Sequence, residues 1–470
     1  MNVARSTVKL LLARSSGMVL TFGGLALFSR VLTPYELGVF FLFQALLNAL
    51  SLPTDLGISG ALEKRISEGT DEGRYLTTGL LLQVVPIIAI SVLVVLFRQN
   101  ILNYVGNDVA YLLVAGLLLY QISELTKKAL NAEHRVNETA KVIFAQKIVW
   151  VGGSLVLIRF LESGSQAVIY GWIFSLLAQS LLGTYKLSIS PGVPSADYAW
   201  SLFEYAKFDV IAGGGWRIFN WLDVLVIGFI LTQELVSAYE IAWKLTAFTL
   251  LLTSSLRTVI FPQVSTWDSE GESGSIEYLL TDVLSASLFI VVPAFFGTVI
   301  FAEEILAYVF TPEYGIADIV LIILMFLTLV RAVEAILGRT LQAVDRVDLA
   351  AYNILAGAAL NIILNPLLVF WIGIEGAALA TLSSYVLLLY LNYRFVSAEL
   401  NLTFPIRDIL WYVFSSGAMA ALLILLKSRF GVSSLSVLLV YIGGGAAMYV
   451  GTMSLYPKFR SHLLERTHHL

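Results

Sequence analysis

The sequence predicts an all-α membrane protein of about fourteen transmembrane helices, and three observations support this fold class. Apolar stretches of about 20 residues recur almost from end to end, and each is long enough to cross the hydrocarbon core as a helix. Hydrophobic residues make up 58% of the chain and charged residues only 13%, about half the charged share of a soluble domain. Because lipid offers the backbone no hydrogen-bond partners, these stretches are expected to be helical.

The predicted spans follow one another closely, and the connections between them are short. They cover residues 10–31, 38–60, 76–97, 108–129, 140–161, 165–186, 208–231, 237–261, 282–302, 316–338, 350–371, 375–396, 407–427 and 433–456. The first is interpreted as a retained helix, because no clear small-residue cleavage site follows it. An even number of spans places both termini on the same side of the membrane.

Nothing in the sequence predicts catalysis. The short connections leave no room for an inserted catalytic domain, and no P-loop or Ser-His-Asp arrangement is present. The chain has no Cys, and its four His residues lack the spacing of metal ligands. We therefore expect a protein that is not an enzyme and that holds neither a metal nor an organic cofactor.

The distribution of Lys and Arg predicts the orientation. With the N-terminus in the cytoplasm, twenty of the 29 Lys and Arg residues fall on the inner side, five on the outer side and four at membrane depth. Inner loops of membrane proteins carry such an excess of positive charge. The prediction is a multi-pass protein of the cytoplasmic (inner) membrane with both termini in the cytoplasm.

Two segments of the chain resemble each other. Leu130–Asn137 reads LNAEHRVN after the fourth span, and Leu341–Asp348 reads LQAVDRVD after the tenth, so Leu, Ala, Arg and Val recur in register. Repeats of six helices keep the same orientation and are expected to bind substrate between the two halves. The predicted domains are an N-terminal lobe, a cytoplasmic linker, a C-terminal lobe and an appendage of two helices with a tail: 1–190, 191–207, 208–400 and 401–470.

Several short motifs occur in both predicted lobes. In the first lobe they are RVLTPYELG at Arg30–Gly38, DLG at Asp55–Gly57 and EKR at Glu63–Arg65. In the second lobe they are AYEIAWK at Ala238–Lys244 and FPQVS at Phe261–Ser265. These motifs resemble those of the polysaccharide-export (Wzx-type) flippases of the multidrug/oligosaccharidyl-lipid/polysaccharide exporter superfamily.

The resemblance implies a two-lobed, MATE-like bundle that works by alternating access. It implies export of an oligosaccharide on a polyprenyl phosphate or pyrophosphate, from the inner to the outer leaflet, for cell-surface polysaccharide or glycoprotein assembly. The expected partners are this glycolipid, membrane lipids and polysaccharide-assembly proteins, with no nucleic acid, and the protein is expected to be a monomer. The alternative is a multidrug antiporter of the same fold, coupled to H⁺ or Na⁺, since the fold alone does not decide the substrate.

Eight charged residues fall at predicted membrane depth, where each needs a pair, a cavity or a function. The bases are Lys147, Arg217, Lys244 and Arg331, and the acids are Asp55, Asp223, Glu240 and Glu334. Four bases against four acids give no cationic excess, although an anionic head group would favour one. Arg30 and Arg257 are further candidates for substrate binding, because they lie at the predicted cavity mouths.

Two pairs of these charges share a helix face. Glu240 and Lys244 are four residues apart, and Arg331 and Glu334 are three apart. Either each pair is structural and neutralises itself at a lobe interface, or Lys244 and Arg331 line a cavity and contact a substrate phosphate. Arg can hold phosphate with two donors, whereas Lys acts as a point charge.

Three single charges have open interpretations. Arg217 follows three consecutive Gly residues, so it either lines a cavity at a helix break or snorkels from a close helix crossing. Arg30 is either an interfacial anchor or an outer gate contact. Asp55 lies between Pro53 and Gly57 at a predicted bend. It pairs with a base across the lobes, binds a coupling Na⁺ or H⁺, or caps the bend.

Overall fold

The computed structural model describes residues 3–161 and 164–459, with side chains described throughout except at 3–15, 208–219 and 258–259. The described residues form eighteen α-helices and one short 3₁₀ helix, and they contain no strand, so the predicted all-α fold class is confirmed. In the first half the helices are α1 (Val3–Val31), α2 (Pro34–Asp55), α3 (Ile58–Ser67), α4 (Glu72–Leu96), α5 (Arg98–Val105), α6 (Ala110–Ala132), α7 (Val136–Leu157), α8 (Gly164–Lys186) and α9 (Ala196–Ile230).

In the second half they are α10 (Gln233–Ala247), α11 (Leu251–Ser269), α12 (Ser273–Leu288), α13 (Val291–Val309), the 3₁₀ helix (Pro312–Ala317), α14 (Asp318–Ala343), α15 (Val347–Ile372), α16 (Ile374–Glu399), α17 (Ile406–Phe430) and α18 (Leu435–Met453). Ten helical segments within the described ranges are long and apolar enough to cross a membrane, and two bent pairs bring the number to twelve. Two predicted spans, 10–31 and 208–231, fall on α1 and α9, which include the side chains outside the description. The count of fourteen therefore stays a prediction.

Local chemistry explains where α2 begins and ends. Thr33 and Glu36 form a reciprocal capping box, with Pro34 in the first turn of the helix. The helix is apolar on all sides and is buried over most of its length, as expected for a helix at the centre of a bundle. It ends where Leu56 and Gly57 adopt left-handed backbone conformations, which redirect the chain into α3.

The tertiary contacts divide the chain into two compact units, Met1–Glu240 and Ile241–Leu470. In the first unit α2 contacts α4, α6, α8 and α9, and α7 packs along α8. In the second unit α14 contacts α11, α13 and α16, and α15 packs along α16. The lobes 1–190 and 208–400 rest on a sequence repeat rather than on contacts, so that division remains a prediction.

The two similar segments form the same turn. His134 and Asp345 both adopt a left-handed φ of 59°. The following amides, of Arg135 and Arg346, donate to carbonyls five residues earlier, at 3.0 and 2.9 Å. Arg135 also donates to the Ser188 hydroxyl just beyond α8, whereas Arg346 contacts a carboxylate at the end of α16. The repeat read from the sequence thus corresponds to a repeated turn.

One end of the first unit contains a sharp elbow, at which α5 and α6 meet at 94°. Gly106 lies in this elbow with a φ of 83° and accepts a hydrogen bond from the Tyr35 hydroxyl of α2 at 3.0 Å. Tyr104 of α5 donates to the Leu225 carbonyl of α9 at 2.7 Å, and its own carbonyl accepts from Gln233 at 3.2 Å. The elbow therefore joins α2, α9 and α10 within one unit.

Candidate functional site

A cluster of three arginines and one glutamate lies on α11 and α14 of the second unit. Arg331, Glu334 and Arg339 occupy one side of α14, at the spacing of residues that share a helix face. Arg257 of the neighbouring α11 interacts electrostatically with both Glu334 and Arg339. We call these four residues the arginine cluster. Its net positive charge suits an anionic group.

Aromatic rings hold two of these guanidinium groups. The Arg331 guanidinium carbon lies 5.2 Å from the ring centres of both Trp243 and Tyr385, and that of Arg339 lies 4.0 Å from the Phe261 ring. A cation over an aromatic face is attracted to the ring without losing its charge. The rings therefore position these bases. Arg339 also donates to Gln342 Oε1 at 2.6 Å, whereas the N–H donors of Arg331 remain able to contact an anion.

Glu334 accepts its hydrogen bond from an amide and not from Arg331, its neighbour on the helix. Its Oε1 accepts from Asn392 Nδ2 at 3.2 Å, and Asn392 in turn accepts from Asn353 at 2.8 Å. Arg331 and Glu334 do share a face, but no direct ion pair joins them within the described residues. The two side chains still interact electrostatically, so the choice between a structural pair and a substrate contact stays a prediction.

Three more of the predicted charged residues lie on α9 and α10. Asp223 is buried and accepts a hydrogen bond from the Tyr239 hydroxyl. Glu240 is buried as well, whereas Lys244 is half-buried in the last turn of α10. A pair between Glu240 and Lys244, and a role of either in substrate binding, remain predictions.

The remaining predicted substrate-binding residues do not belong to the arginine cluster. Lys147 of α7 donates to the Thr21 hydroxyl of α1 at 2.9 Å, and its stem packs on Gly17. Lys147 therefore links two helices of the first unit. Arg30 is exposed in the last turn of α1, where a cation interacts favourably with the helix dipole. The side chain of Arg217 lies outside the described residues, so its role stays a prediction.

Asp55 lies at the junction of α2 and α3, where the sequence predicts a bend. Its Oδ1 accepts from the Ser59 amide at 3.2 Å, from the Ser59 hydroxyl, and from Gln83 Nε2 of α4 at 2.8 Å. The carboxylate thus caps the first turn of α3. No base pairs with Asp55 within the described residues.

A polar cluster in the second unit has no counterpart in the sequence-based predictions. Asp408 of α17, only 5% exposed, accepts from the Ser285 hydroxyl at 2.6 Å and from Tyr456 at 2.5 Å. Lys458, which follows α18, donates to Asp408 and to Asp282 at 3.0 Å each. The cluster borders a cavity of about 460 Å³ and ties the chain beyond α18 to α12 and α17. We call it the C-terminal latch.

Because of the C-terminal latch, we expect the free energy of unfolding to decrease at alkaline pH. Burial and the bond to Asp408 raise the pKa of Tyr456 to about 12. Burial lowers the pKa of Lys458, but its contacts with Asp282 and Asp408 outweigh that effect and raise it. Both groups bind their protons more tightly in the folded state. Their stabilisation is therefore complete below the unfolded pKa values of about 10 and is lost as pH rises through the folded values.

We expect the melting temperature of the purified protein to fall as pH rises above about 10, and to fall less steeply in Lys458→Met. Lys141→Met is the matched control, because the Lys141 side chain is 70% exposed and its ion pair contributes little. Equal alkaline slopes in Lys458→Met and in the unsubstituted protein would contradict the latch.

An apolar cavity of about 440 Å³ lies beside the latch, between α13 and the hairpin of α17 and α18. Pro293 and Phe301 line it on one side, and Met419, Leu423 and Tyr449 on the other. Tyr449 donates to the Phe289 carbonyl at 2.9 Å, which satisfies the polar end of its side chain. A cavity with so few polar groups suits a hydrocarbon chain.

Sequence reasoning missed Arg339 and the amides of α15 and α16. Arg339 follows Arg331 by eight residues, a spacing that places both on one face of a helix and was readable from the sequence. Asn353 and Asn392 offer no comparable signal, because their contact joins positions 39 residues apart.

Together the helices, the internal repeat and the charged cluster within an apolar bundle define a polytopic membrane protein of the transporter class. Residues 27–320 match the family described as "Polysaccharide biosynthesis protein". The chain is 39% identical to the "Probable low-salt glycan biosynthesis flippase Agl15" of Haloferax volcanii, over 98% of this chain and 97% of the relative. The chain therefore belongs to this polysaccharide biosynthesis family.

Further comparisons agree on family and fold. The "Probable flippase AglR" of Haloferax volcanii is 29% identical over 91% of this chain and 90% of its own. Among solved structures, "Lipid II flippase MurJ, inward closed conformation" superposes with a TM-score of 0.78 at 17% identity, covering 96% of this chain and 99% of that one. An inward-facing MATE transporter of the MOP superfamily gives a TM-score of 0.67 at 15% identity, over 83% of this chain and 98% of that one. The resemblance to the polysaccharide-export flippases of this superfamily is thus confirmed, with MurJ and MATE likeness showing the fold.

Proposed function

We propose that the protein is a flippase, not an enzyme, that moves a polyprenyl-(pyro)phosphate-linked oligosaccharide from the inner to the outer leaflet by alternating access. The observation that carries the proposal is the arginine cluster. Three arginines against one glutamate supply the cationic excess that an anionic head group requires, and that the residue count at membrane depth did not show. The names of the Haloferax volcanii relatives support the same function.

In this mechanism the positive charge of the arginine cluster offsets the free-energy cost of moving the phosphate out of water. Arg331 is held by Trp243 and Tyr385, so its planar donors are positioned before the head group arrives. Arg257 is exposed and supplies the first contact. The apolar cavity at α13, α17 and α18 supports a substrate with a long hydrocarbon tail.

The rest of the proposal concerns coupling and location. Transport is coupled to H⁺ or Na⁺ through one of the buried acids, with Asp55, Asp223, Glu240 and Glu334 as the candidates. The protein acts as a monomer in the cytoplasmic membrane, with both termini inside, alongside polysaccharide-assembly proteins. The excess of Lys and Arg on one side supports this orientation.

The test is translocation of a fluorescent polyprenyl-pyrophosphate oligosaccharide in proteoliposomes. A fluorescent anionic lipid without sugar is the control. We expect protein-dependent movement of the glycolipid and none of the control lipid. No movement of the glycolipid, together with uptake of an organic cation driven by a H⁺ or Na⁺ gradient, would identify a drug antiporter instead.

A further inference from the structure

We infer that Asp55, Ser59 and Gln83 form a binding site for a monovalent metal cation of the size of Na⁺. The three residues come from α2, α3 and α4 of the first unit and meet in one hydrogen-bonded network. The use of the ion in transport rests on the proposed function, whereas the binding itself does not.

The first argument concerns the charge of Asp55. Its side chain is only 7% exposed, and all three of its hydrogen-bond donors are neutral. A buried carboxylate costs several kcal/mol unless a counter-charge accompanies it. Buried charges in proteins are accordingly paired or bound to metals.

Bases on α3 and on the neighbouring α6 are engaged with other acids. Lys64 and Arg65 of α3 both contact Glu68, at 3.5 and 3.2 Å. Lys128 of α6 contacts Glu63 at 2.6 Å. These pairs leave the Asp55 carboxylate without a basic partner in the part of the chain that the structure describes.

The second argument is an oxygen atom with no partner. Gln83 is 1% exposed, and its Oε1 has no hydrogen bond within the described residues. The Nε2 of the same amide lies 2.8 Å from Asp55 Oδ1 and 3.4 Å from Ser59 Oγ. A buried amide oxygen without a donor costs free energy, and a cation relieves that cost.

The two orientations of a side-chain amide differ only in the exchange of its N and O atoms. A half-turn of the Gln83 side-chain amide places Oε1 where Nε2 now lies, beside the carboxylate and the Ser59 hydroxyl. Three oxygens then converge: a carboxylate, a hydroxyl and an amide carbonyl. Oxygen ligands of this kind suit hard metal cations.

Charge balance selects the valence of the ion. The network contains one carboxylate and no other charged group, so a monovalent cation makes it neutral. A divalent ion would leave a net positive charge buried at the junction, which is costly in a low-dielectric surrounding. Gln83 lies eleven residues into α4, about 16 Å along the helix, so the ion would sit inside the first unit and not at its surface.

The test measures ²²Na⁺ binding to the purified full-length protein in detergent, with N-methylglucamine replacing Na⁺ at constant ionic strength. We expect saturable binding of one ion per chain, its loss in Asp55→Asn, and affinity at least tenfold lower in Gln83→Met. Gln146→Met is the matched control, because Gln146 is also a buried amide of the first unit but donates to Ser175 on α8. Its binding should equal that of the unsubstituted protein.

Asp55→Asn keeps a side-chain oxygen able to cap α3, and Ser59→Ala, also expected to weaken binding, provides a second route if that variant fails to fold. Unchanged ²²Na⁺ binding in Gln83→Met and Ser59→Ala would overturn the inference. The absence of saturable binding in the unsubstituted protein would overturn it as well. A pH-dependent melting temperature that Asp55→Asn removes would then identify a proton site. Glycolipid transport in proteoliposomes is measured separately, so failure of the ion site and failure of the flippase are distinguishable.

Discussion

Arg331→Gln should lower glycolipid translocation in proteoliposomes at least tenfold while leaving expression and melting temperature nearly unchanged. A charge-assisted hydrogen bond contributes about 1.5–3 kcal/mol, and about 1.4 kcal/mol corresponds to a factor of ten. Arg257→Gln should act in the same direction, because Arg257 shares the cluster. Arg331→Lys should restore transport only in part, since Lys lacks the planar donors that stack between Trp243 and Tyr385.

Arg394→Gln is the control for this series. Arg394 is an exposed arginine of the same unit, on α16, and is not part of the arginine cluster. Transport by this variant should match that of the unsubstituted protein. If Arg331→Gln and Arg394→Gln transport equally well, the cluster does not bind the head group.

Gly38→Ala should abolish accumulation of folded protein. A Cβ at this position would overlap the backbone carbonyl of Gln233, where α10 begins. Backbone atoms cannot move aside as a flexible side chain can, so we expect a loss of about 3 kcal/mol, at the upper end of overpacking effects. The measurement is the yield of monodisperse protein in detergent, followed by the melting temperature of whatever folds.

Gly152→Ala is the matched substitution. Gly152 lies in α7 of the same unit, and a Cβ there would meet no atom within 4 Å. Because Ala favours a helix over Gly by about 0.5–1 kcal/mol, this variant should be as stable as the unsubstituted protein or slightly more so. A Gly38→Ala protein that folds as well as Gly152→Ala would show that α2 and α10 tolerate a larger separation.

The sequence predicts the fold class because hydropathy and helix length report directly on the membrane. It also predicts the repeat, since Arg135 and Arg346 occupy equivalent turns. The sequence predicts the bend at Asp55 from Pro53 and Gly57, but the predicted span 282–302 misses the break after Leu288, because the residues on both sides of that break are apolar or small. Hydropathy does not distinguish one straight helix from two joined ones.

The candidate site was predictable only in part. Arg331 and Glu334 were identified from their burial in an apolar stretch, but their partners lie on other helices. Trp243 and Asn392 contact them across gaps of 88 and 58 residues, and no local pattern encodes such contacts. The count of charges at membrane depth did not show a cationic excess for the same reason. It treats all eight residues as one group, whereas charges interact strongly only when they lie close together in space.

The elbow of the first unit has a mechanical consequence. Tyr35 of α2 and Gln233 of α10 donate to carbonyls of the elbow, and Tyr104 of the elbow donates to a carbonyl of α9. These three hydrogen bonds connect α2, α9 and α10 at the elbow, so we expect the ends of these helices to move together. We therefore expect movement within this unit to occur at the ends of these helices that lie away from the elbow.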